Sequence, residues 1–130
     1  MIRKDYFLKV LQQLTQVIAR ALKLSHSGDA KAALELLDGQ YQKQLQEQSE
    51  ILVKYPVEVL AQRYDEGQLT LLADLLTAEG EILMSATEAE AARARLSKAL
   101  SLYQHLNQVQ QVYDFEREGK MQQIRAWLEA

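Results

Sequence analysis

The sequence predicts an all-α domain built from antiparallel helical hairpins. Apolar residues recur at steps of three and four along most of the 130-residue chain, which is the spacing of one face of an α-helix. One proline and five glycines are too few for a turn-rich β protein. We therefore expect a single domain, residues 1–130, that contains about six helices.

The first two helices are expected to form the first hairpin. The first helix spans residues 6–24 and is followed by a turn at residues 25–28. Asp29 is the expected N-cap of the second helix, because its side chain can accept a hydrogen bond from a free amide of the first turn. The second helix is expected to continue until Pro56, which disfavours the helical conformation of the preceding residue.

Four further helices complete the predicted array. They are expected at residues 57–64, 69–83, 92–106 and 112–128. Residues 65–67, with the sequence Asp-Glu-Gly, are predicted to form a turn. Thr87 followed by Glu90 fits a capping box, in which each side chain would bond to the other residue's backbone amide.

Composition and charge exclude several classes of function. The chain has no cysteine, which excludes disulfides, thiolate metal sites and a cysteine nucleophile. A net charge of −3 argues against general affinity for nucleic acid. Residues 57–92 hold eight acids and one base, a net charge of −7. This segment forms either an electrostatic signal for a partner or an ordinary solvated acidic face.

The beginning of the chain does not read as a signal peptide, because Lys9 and the pair Gln12-Gln13 interrupt any apolar segment. No run of about 18 apolar residues predicts a membrane-spanning helix. We therefore expect a cytoplasmic protein that does not bind membranes.

The two histidines do not indicate a metal site. A di-iron helical bundle needs paired Glu-x-x-His motifs, whereas Lys23 and Leu102 stand three residues before His26 and His105. Each histidine is read as an ordinary polar residue. No glycine-rich phosphate loop is present either, so no metal or cofactor is expected.

Carboxylates and bases likewise give no catalytic pattern, and we predict that the chain is not an enzyme. Glu79 and Glu81 are two residues apart and do not share a helical face, so they are poor candidates for an acid–base pair. Asp74 and Glu81 do share a face, which is more typical of a solvated surface. The bases Arg93, Arg95 and Lys98 are placed on the polar side of their helix, without the aromatic residues of a nucleic-acid platform.

Aromatic residues cluster towards the end of the chain. Tyr113, Phe115 and Trp127 could form an aromatic binding box. The spacing of Phe115, Ile124, Trp127 and Leu128 is explained more simply as the inner face of a docking helix, and this is the interpretation that we favour.

Two segments of the chain share one spacing of apolar and small residues. The first copy consists of Val17, Ala21, Leu24, Ala33 and Leu37. The second copy consists of Leu76, Gly80, Leu83, Ala92 and Leu96. Small residues on consecutive helices allow close antiparallel packing. The spacing resembles the tetratricopeptide repeat, with two copies separated by a helical insert.

The whole chain also resembles a family of uncharacterised bacterial proteins with a tetratricopeptide-like fold. The motifs that carry this resemblance are RKDY at residues 3–6, LLADLL at 71–76, EGE at 79–81 and FER at 115–117. The resemblance implies a fold and a bacterial origin, and it implies no chemical activity.

In tetratricopeptide-like folds the first helix of each pair lines a concave surface. The resemblance therefore implies a groove lined by Ile18 and Leu22 from the first copy and by Thr77, Glu81 and Met84 from the second. An apolar patch beside acidic residues suits a basic or amphipathic peptide or helix.

The leading hypothesis is therefore a protein–protein interaction module. The first alternative is a self-associating structural homo-oligomer, in which a second protomer covers an end face of the array and the N-terminal helix is the expected contact. The second alternative is a small-molecule-binding domain with a pocket between helices.

Overall fold

The computed structural model describes the backbone of residues 2–130 and the side chains from Asp5 onward. Across residues 2–130 the chain forms seven helices and no strands, which confirms the predicted all-α class. In chain order they are α1 (Ile2–His26), α2 (Ala30–Leu45), α3 (Ser49–Leu52), α4 (Val57–Arg63), α5 (Glu66–Ser85), α6 (Ala89–Gln110) and α7 (Phe115–Glu129).

The turn between α1 and α2 is shorter than predicted, because α1 continues to His26 and the turn begins at Ser27. Gly28 adopts a φ of +90°, a conformation that side chains rarely tolerate, and the amide of Asp29 donates to the carbonyl of Leu24 at 2.9 Å. The Asp29 carboxylate accepts a hydrogen bond from the amide of Ala32 at 3.1 Å, which confirms it as the N-cap of α2.

The prediction that the second helix continues to Pro56 is wrong. α2 ends at Leu45, and Gln46 takes a left-handed conformation with a φ of 55°. The chain then turns inward and forms the short helix α3, which buries Ser49 and Leu52 almost completely. The break after Leu45 thus accompanies the burial of these two side chains in the core.

The turn predicted at residues 65–67 is instead the start of α5. Asp65 is the N-cap and forms a reciprocal capping box with Gln68, with bonds of 2.8 and 3.1 Å. Gly67 is helical. A Cβ atom there would lie 2.9 Å from the ring of Phe7, so the glycine admits a close contact with α1.

The predicted capping box of Thr87 and Glu90 is also wrong. Thr87 has a φ of 62°, and its amide donates to the carbonyl of Met84, so this residue closes the end of α5. Glu88 is the N-cap of α6 and makes no side-chain capping bond. The last helix begins at Phe115 and not at Val112, because Asp114 caps it through the amide of Arg117.

Three helices of the fold run in the same direction. Phe7 lies beside Gly67 at one end of α1 and α5, and His26 lies 3.9 Å from Glu81 at the other end. α6 runs antiparallel to α5, and α7 runs antiparallel to α6. Consequently α1, α5 and α7 are parallel, with α2 packed against α1 and α5, and α6 packed against α5 and α7.

α5 is the central helix and is buried on most of its surface. The small residue at position 80 permits the close approach of α6, since a Cβ atom at Gly80 would lie 2.5 Å from Cγ of Leu96. In the other hairpin, Ala21 and Ala33 are fully buried. The small residues of both predicted copies therefore lie in the core.

Candidate binding cleft

A cleft of about 510 Å³ opens between α1, α5 and α7. α1 and α7 form its two walls, and α5 forms its floor. Its apolar lining comes from side chains on all three helices, namely Ile18, Leu22, Ala78 and Trp127. Its polar lining consists of Thr15, Asp74, Thr77, Glu81, Glu116, Lys120 and Gln123, and Gly119 completes the α7 wall.

The structure brings together four of the five groove residues suggested by the sequence. Ile18 and Leu22 lie on the α1 wall, and Thr77 and Glu81 lie on the floor. Met84 does not line the cleft, which corrects its assignment. It lies one helical turn beyond Glu81, near the end of α5, where it is half-buried against the hydrophobic core.

The α7 wall of the cleft was not predicted from the sequence. The repeat spacing covers residues of the two hairpins only, so it gave no signal for a third wall. The helical period of α7 places Glu116, Lys120, Gln123 and Trp127 on one face, and this periodicity could have indicated a shared surface. Only packing decides that this face looks onto α1 and α5.

Asp74 is a charged group of the cleft that has two side-chain partners. Its Oδ1 atom lies 3.0 Å from Nζ of Lys120, and the same oxygen accepts a hydrogen bond from the phenol of Tyr103. Burial, followed by the nearby Asp74 carboxylate, raises the pKa of Tyr103 well above its ordinary value. The phenol therefore stays protonated and donates to Asp74 at physiological pH.

The side chains of Thr77 and Glu81 differ in the partners of their polar atoms. The Thr77 hydroxyl donates to the carbonyl of Ala73 at 2.8 Å and lies 3.4 Å from the Tyr103 phenol, so its polar atom is already engaged. Glu81 is partly exposed, and its carboxylate lies 3.9 Å from Nε2 of His26. The sequence did not predict this neighbour, because residues 26 and 81 are brought together only by the packing of α1 on α5.

α7 is held in place by contacts with α6. Arg117 is buried, and its guanidinium donates to the side chains of Asn107 at 3.0 Å and Gln110 at 2.7 Å. Near the other end, the guanidinium of Arg93 donates to the carbonyl of Leu128 at 2.9 Å. These bonds fix α7 as one wall of the cleft.

The C-terminal aromatic residues do not act as one group. Phe115 is 81% exposed and Tyr113 is 70% exposed, so the inner-face interpretation is wrong for Phe115. Their rings make an edge-to-face pair with centroids 5.7 Å apart. Trp127 lies twelve residues further along α7, half-buried in the cleft lining, while Ile124 is fully buried as expected.

Of the three bases of α6, Arg95 is not on the polar side of the helix, which corrects its assignment, whereas Arg93 is exposed. Arg95 is buried, and its Nε lies 3.3 Å from the buried carboxylate of Glu79. Nζ of Lys98 donates to the carbonyl of Tyr55 at 2.7 Å. Together with the Arg93 bond to α7, these contacts show that α6 uses its bases to hold neighbouring segments.

Glu79 is the centre of a second polar group, inside the fold. It accepts hydrogen bonds from the hydroxyls of Tyr41 at 2.7 Å and Ser49 at 3.0 Å. Burial raises the pKa of Glu79, although Tyr41, Arg95 and Ser49 act in the opposite direction. This group joins α2, α3, α5 and α6, and it lies outside the cleft.

Within the part of the chain that the structure describes, no group of three or more histidines and carboxylates is placed to hold a metal ion. Among the helices described, none has both the length and the hydropathy needed to cross a membrane. Comparisons of the chain with family models, with curated proteins and with solved structures find no match.

Proposed function

We propose that this chain is a protein–protein interaction module whose cleft binds a basic, amphipathic segment of a partner protein. The observation that carries the proposal is the composition of the cleft, in which apolar side chains lie beside acidic ones. Such a surface complements a segment that has aliphatic residues on one side and lysine or arginine next to them.

The charges of the lining favour a basic partner. Asp74, Glu81 and Glu116 contribute three carboxylates, whereas Lys120 contributes one ammonium group, so the lining has a net charge of −2. Lys120 is paired with Asp74. Glu81 and Glu116 therefore remain as the acidic groups available to a bound cation.

The shape favours a segment of polypeptide over a compact molecule. Along α7 the lining extends from Glu116 to Trp127, which corresponds to about 16 Å of helix. The volume of about 510 Å³ accommodates several side chains but not a whole protein domain. An elongated, open cleft of this size suits one face of a peptide.

The order of packing supports a tetratricopeptide-like arrangement as part of the proposal. Two hairpins, α1–α2 and α5–α6, are followed by α7, and each helix packs against its neighbours in this series. α3 and α4 form the helical insert between the hairpins. In this arrangement the parallel helices α1, α5 and α7 line the binding surface, as the first helices of repeats do.

The test uses Trp127, which is the only tryptophan of the chain and lies in the cleft. The probe is a synthetic peptide of about 14 residues, roughly 21 Å as a helix, with leucines on one face and lysines on the other. We expect a saturable change of tryptophan fluorescence, with affinity that falls as salt is added.

Two variants identify the binding surface. Glu81→Lys and Ile18→Glu are each expected to weaken binding by about tenfold or more, with the helical content unchanged by circular dichroism. Glu35→Lys makes the same charge change on the exposed side of α2, outside the cleft, and is expected to bind as the wild type does. Equal affinity of Glu81→Lys, Ile18→Glu and wild type would disprove the cleft assignment.

Self-association is a second candidate function, and exposed apolar residues favour it. Tyr6 and Leu8 are exposed near the start of α1, and Val112, Tyr113 and Phe115 are exposed around the α6–α7 connection. Both groups lie at the end of the molecule where α5 begins, since Phe7 contacts Gly67 and Gln110 bonds to Glu66 at 3.1 Å. A second copy could cover this end.

A further inference from the structure

We infer that the segment bound in the cleft is an α-helix that makes its closest approach to α7 at Gly119. This inference rests on the proposed function and names the conformation of the partner and the position that selects it. The carrying observation is a cleft lined only by helices, with a glycine in its α7 wall at a position where a side chain would contact no other part of the fold.

Three of the five glycines have a visible role in the fold. Gly80 admits Leu96, Gly67 admits Phe7, and Gly28 adopts a positive φ. Gly39 and Gly119 have none of these, since a Cβ atom built at either position would meet nothing within 4 Å, and of the two only Gly119 lies in the cleft lining. Glycine in a helix interior is less favourable than alanine, so α7 would be more stable with a side chain at this position.

The position of Gly119 suggests that the glycine is suited to contact with a bound partner. It lies in the cleft lining, between Glu116 one turn before it and Gln123 one turn after it. The missing side chain leaves a notch in the wall at this point. Small residues at a helix contact allow the two helix axes to approach closely, so the notch suits the ridge of a second helix.

The chemistry of the walls favours a helix over an extended peptide. The cleft is lined by α1, α5 and α7, whose mid-helix backbone amides and carbonyls are bonded within their own helices. An extended peptide would find no sheet edge to pair with and would place unbonded backbone groups against an apolar lining, which costs free energy. A helix satisfies its own backbone and presents only side chains.

The charges and the length of the cleft are suited to a bound helix. The acidic groups Glu116 and Glu81 lie towards opposite ends of the cleft. Glu116 is beside the notch, and Glu81 is beside Leu22. A helix of three to four turns, about 16 to 22 Å long, spans that distance and can direct a basic residue to each end. The partner is therefore a basic amphipathic helix with an aliphatic ridge.

The experiment compares two peptides and three variants by the fluorescence of Trp127. One peptide is the leucine–lysine amphipathic helix used above, and the other has the same composition except for two central prolines, which prevent helix formation. Gly119→Leu fills the notch. Gly39→Leu is the matched control, because Gly39 is also a helix-interior glycine with open space around it but lies in α2, outside the cleft. Ile18→Glu reports binding at the cleft.

We expect the helical peptide to bind at least tenfold more tightly than the proline peptide. Gly119→Leu is expected to lose tenfold or more in affinity, and Gly39→Leu is expected to match the wild type. Equal binding of both peptides, or wild-type affinity in Gly119→Leu while Ile18→Glu abolishes binding, overturns this inference and leaves the interaction module standing. Absence of binding by the wild-type protein to either peptide overturns both.

Discussion

Glycines in this chain have opposite effects at different positions, depending on what surrounds each one. Gly80 is buried against Leu96, whereas Gly39 stands on the exposed side of α2 with open space around it. Both are inside helices, so both carry the conformational cost that glycine imposes there. Only at Gly80 is this conformational cost offset, by the close packing of α5 and α6.

The same substitution is therefore expected to change stability in opposite directions. Gly80→Ala should lower the free energy of unfolding by about 1–3 kcal/mol, because the added methyl group forces Leu96 out of a packed position. Gly39→Ala should raise it by about 0.5–1 kcal/mol. Urea denaturation followed by circular dichroism measures both, and a stabilising Gly80→Ala would contradict the close contact.

Glu79 is a buried titrating group, and its effect on stability has an unusual sign. Its pKa is raised in the folded protein by burial, so the folded state holds this proton more tightly than the unfolded state does. Between its ordinary value of 4.5 and the raised folded pKa, the free energy of unfolding contributed by Glu79 falls as the pH rises. Most paired carboxylates act in the opposite direction.

We expect the pH dependence of stability to reveal this contribution. Glu79→Gln keeps the shape and removes the titration, so the stability of wild type relative to this variant should decline as pH rises through that window. Outside the window the difference should be constant. Glu35→Gln on the exposed side of α2 controls for the loss of one carboxylate. A difference that grows with rising pH would contradict the assigned direction.

At the scale of elements, α7 is the part of the fold on which the cleft depends most. Its main contacts are with α6. Arg117, Met121 and Ile124 are its buried residues, and Arg93 ties down its end. A helix held mainly by one neighbour can open without unfolding of the rest.

Ile124→Ala is expected to loosen α7 selectively. The side chain is fully buried, and its truncation should cost the local packing of α7 about 2–4 kcal/mol. Hydrogen exchange should then become faster within residues 115–129, while α5 keeps its protection. The exposed Arg125→Ala is the matched control on the same helix. Equal loss of protection in α5 and α7 would show that α7 is not a separate unit.

For the whole molecule, the distribution of exposed apolar side chains is uneven. The end at which α5 begins carries Tyr6, Leu8, Val112, Tyr113 and Phe115, with Phe115 the most exposed. Large apolar side chains grouped at one end are typical of contact surfaces between proteins. This end is distinct from the apolar lining of the cleft.

If this end mediates self-association, light scattering should give a mass that rises with protein concentration. The double variant Tyr113→Ser with Phe115→Ser should then shift the protein towards the monomer. Ile51→Ser with Val59→Ser is the control, since these residues are exposed apolar side chains of α3 and α4. A wild-type protein that stays monomeric at high concentration would exclude this function.

Local sequence alone determined the fold class and several helix boundaries of this protein. Helical periodicity identified the long helices, and Asp29 marked the start of α2, because a cap acts on amides within its own first turn. The resemblance to the tetratricopeptide repeat suggested Ile18, Leu22, Thr77 and Glu81, and the residues of each pair, four apart, lie on one helical face. These features depend on neighbours in the chain.

Only the tertiary structure decided which faces meet. It placed α7 as the third wall of the cleft, brought His26 to Glu81, buried Arg95 against Glu79 and broke the second helix after Leu45. A helical pattern gives the direction of each side chain relative to its own axis. The partner of that side chain depends on how whole helices pack, and this is set by burial and close contact between residues far apart in the sequence.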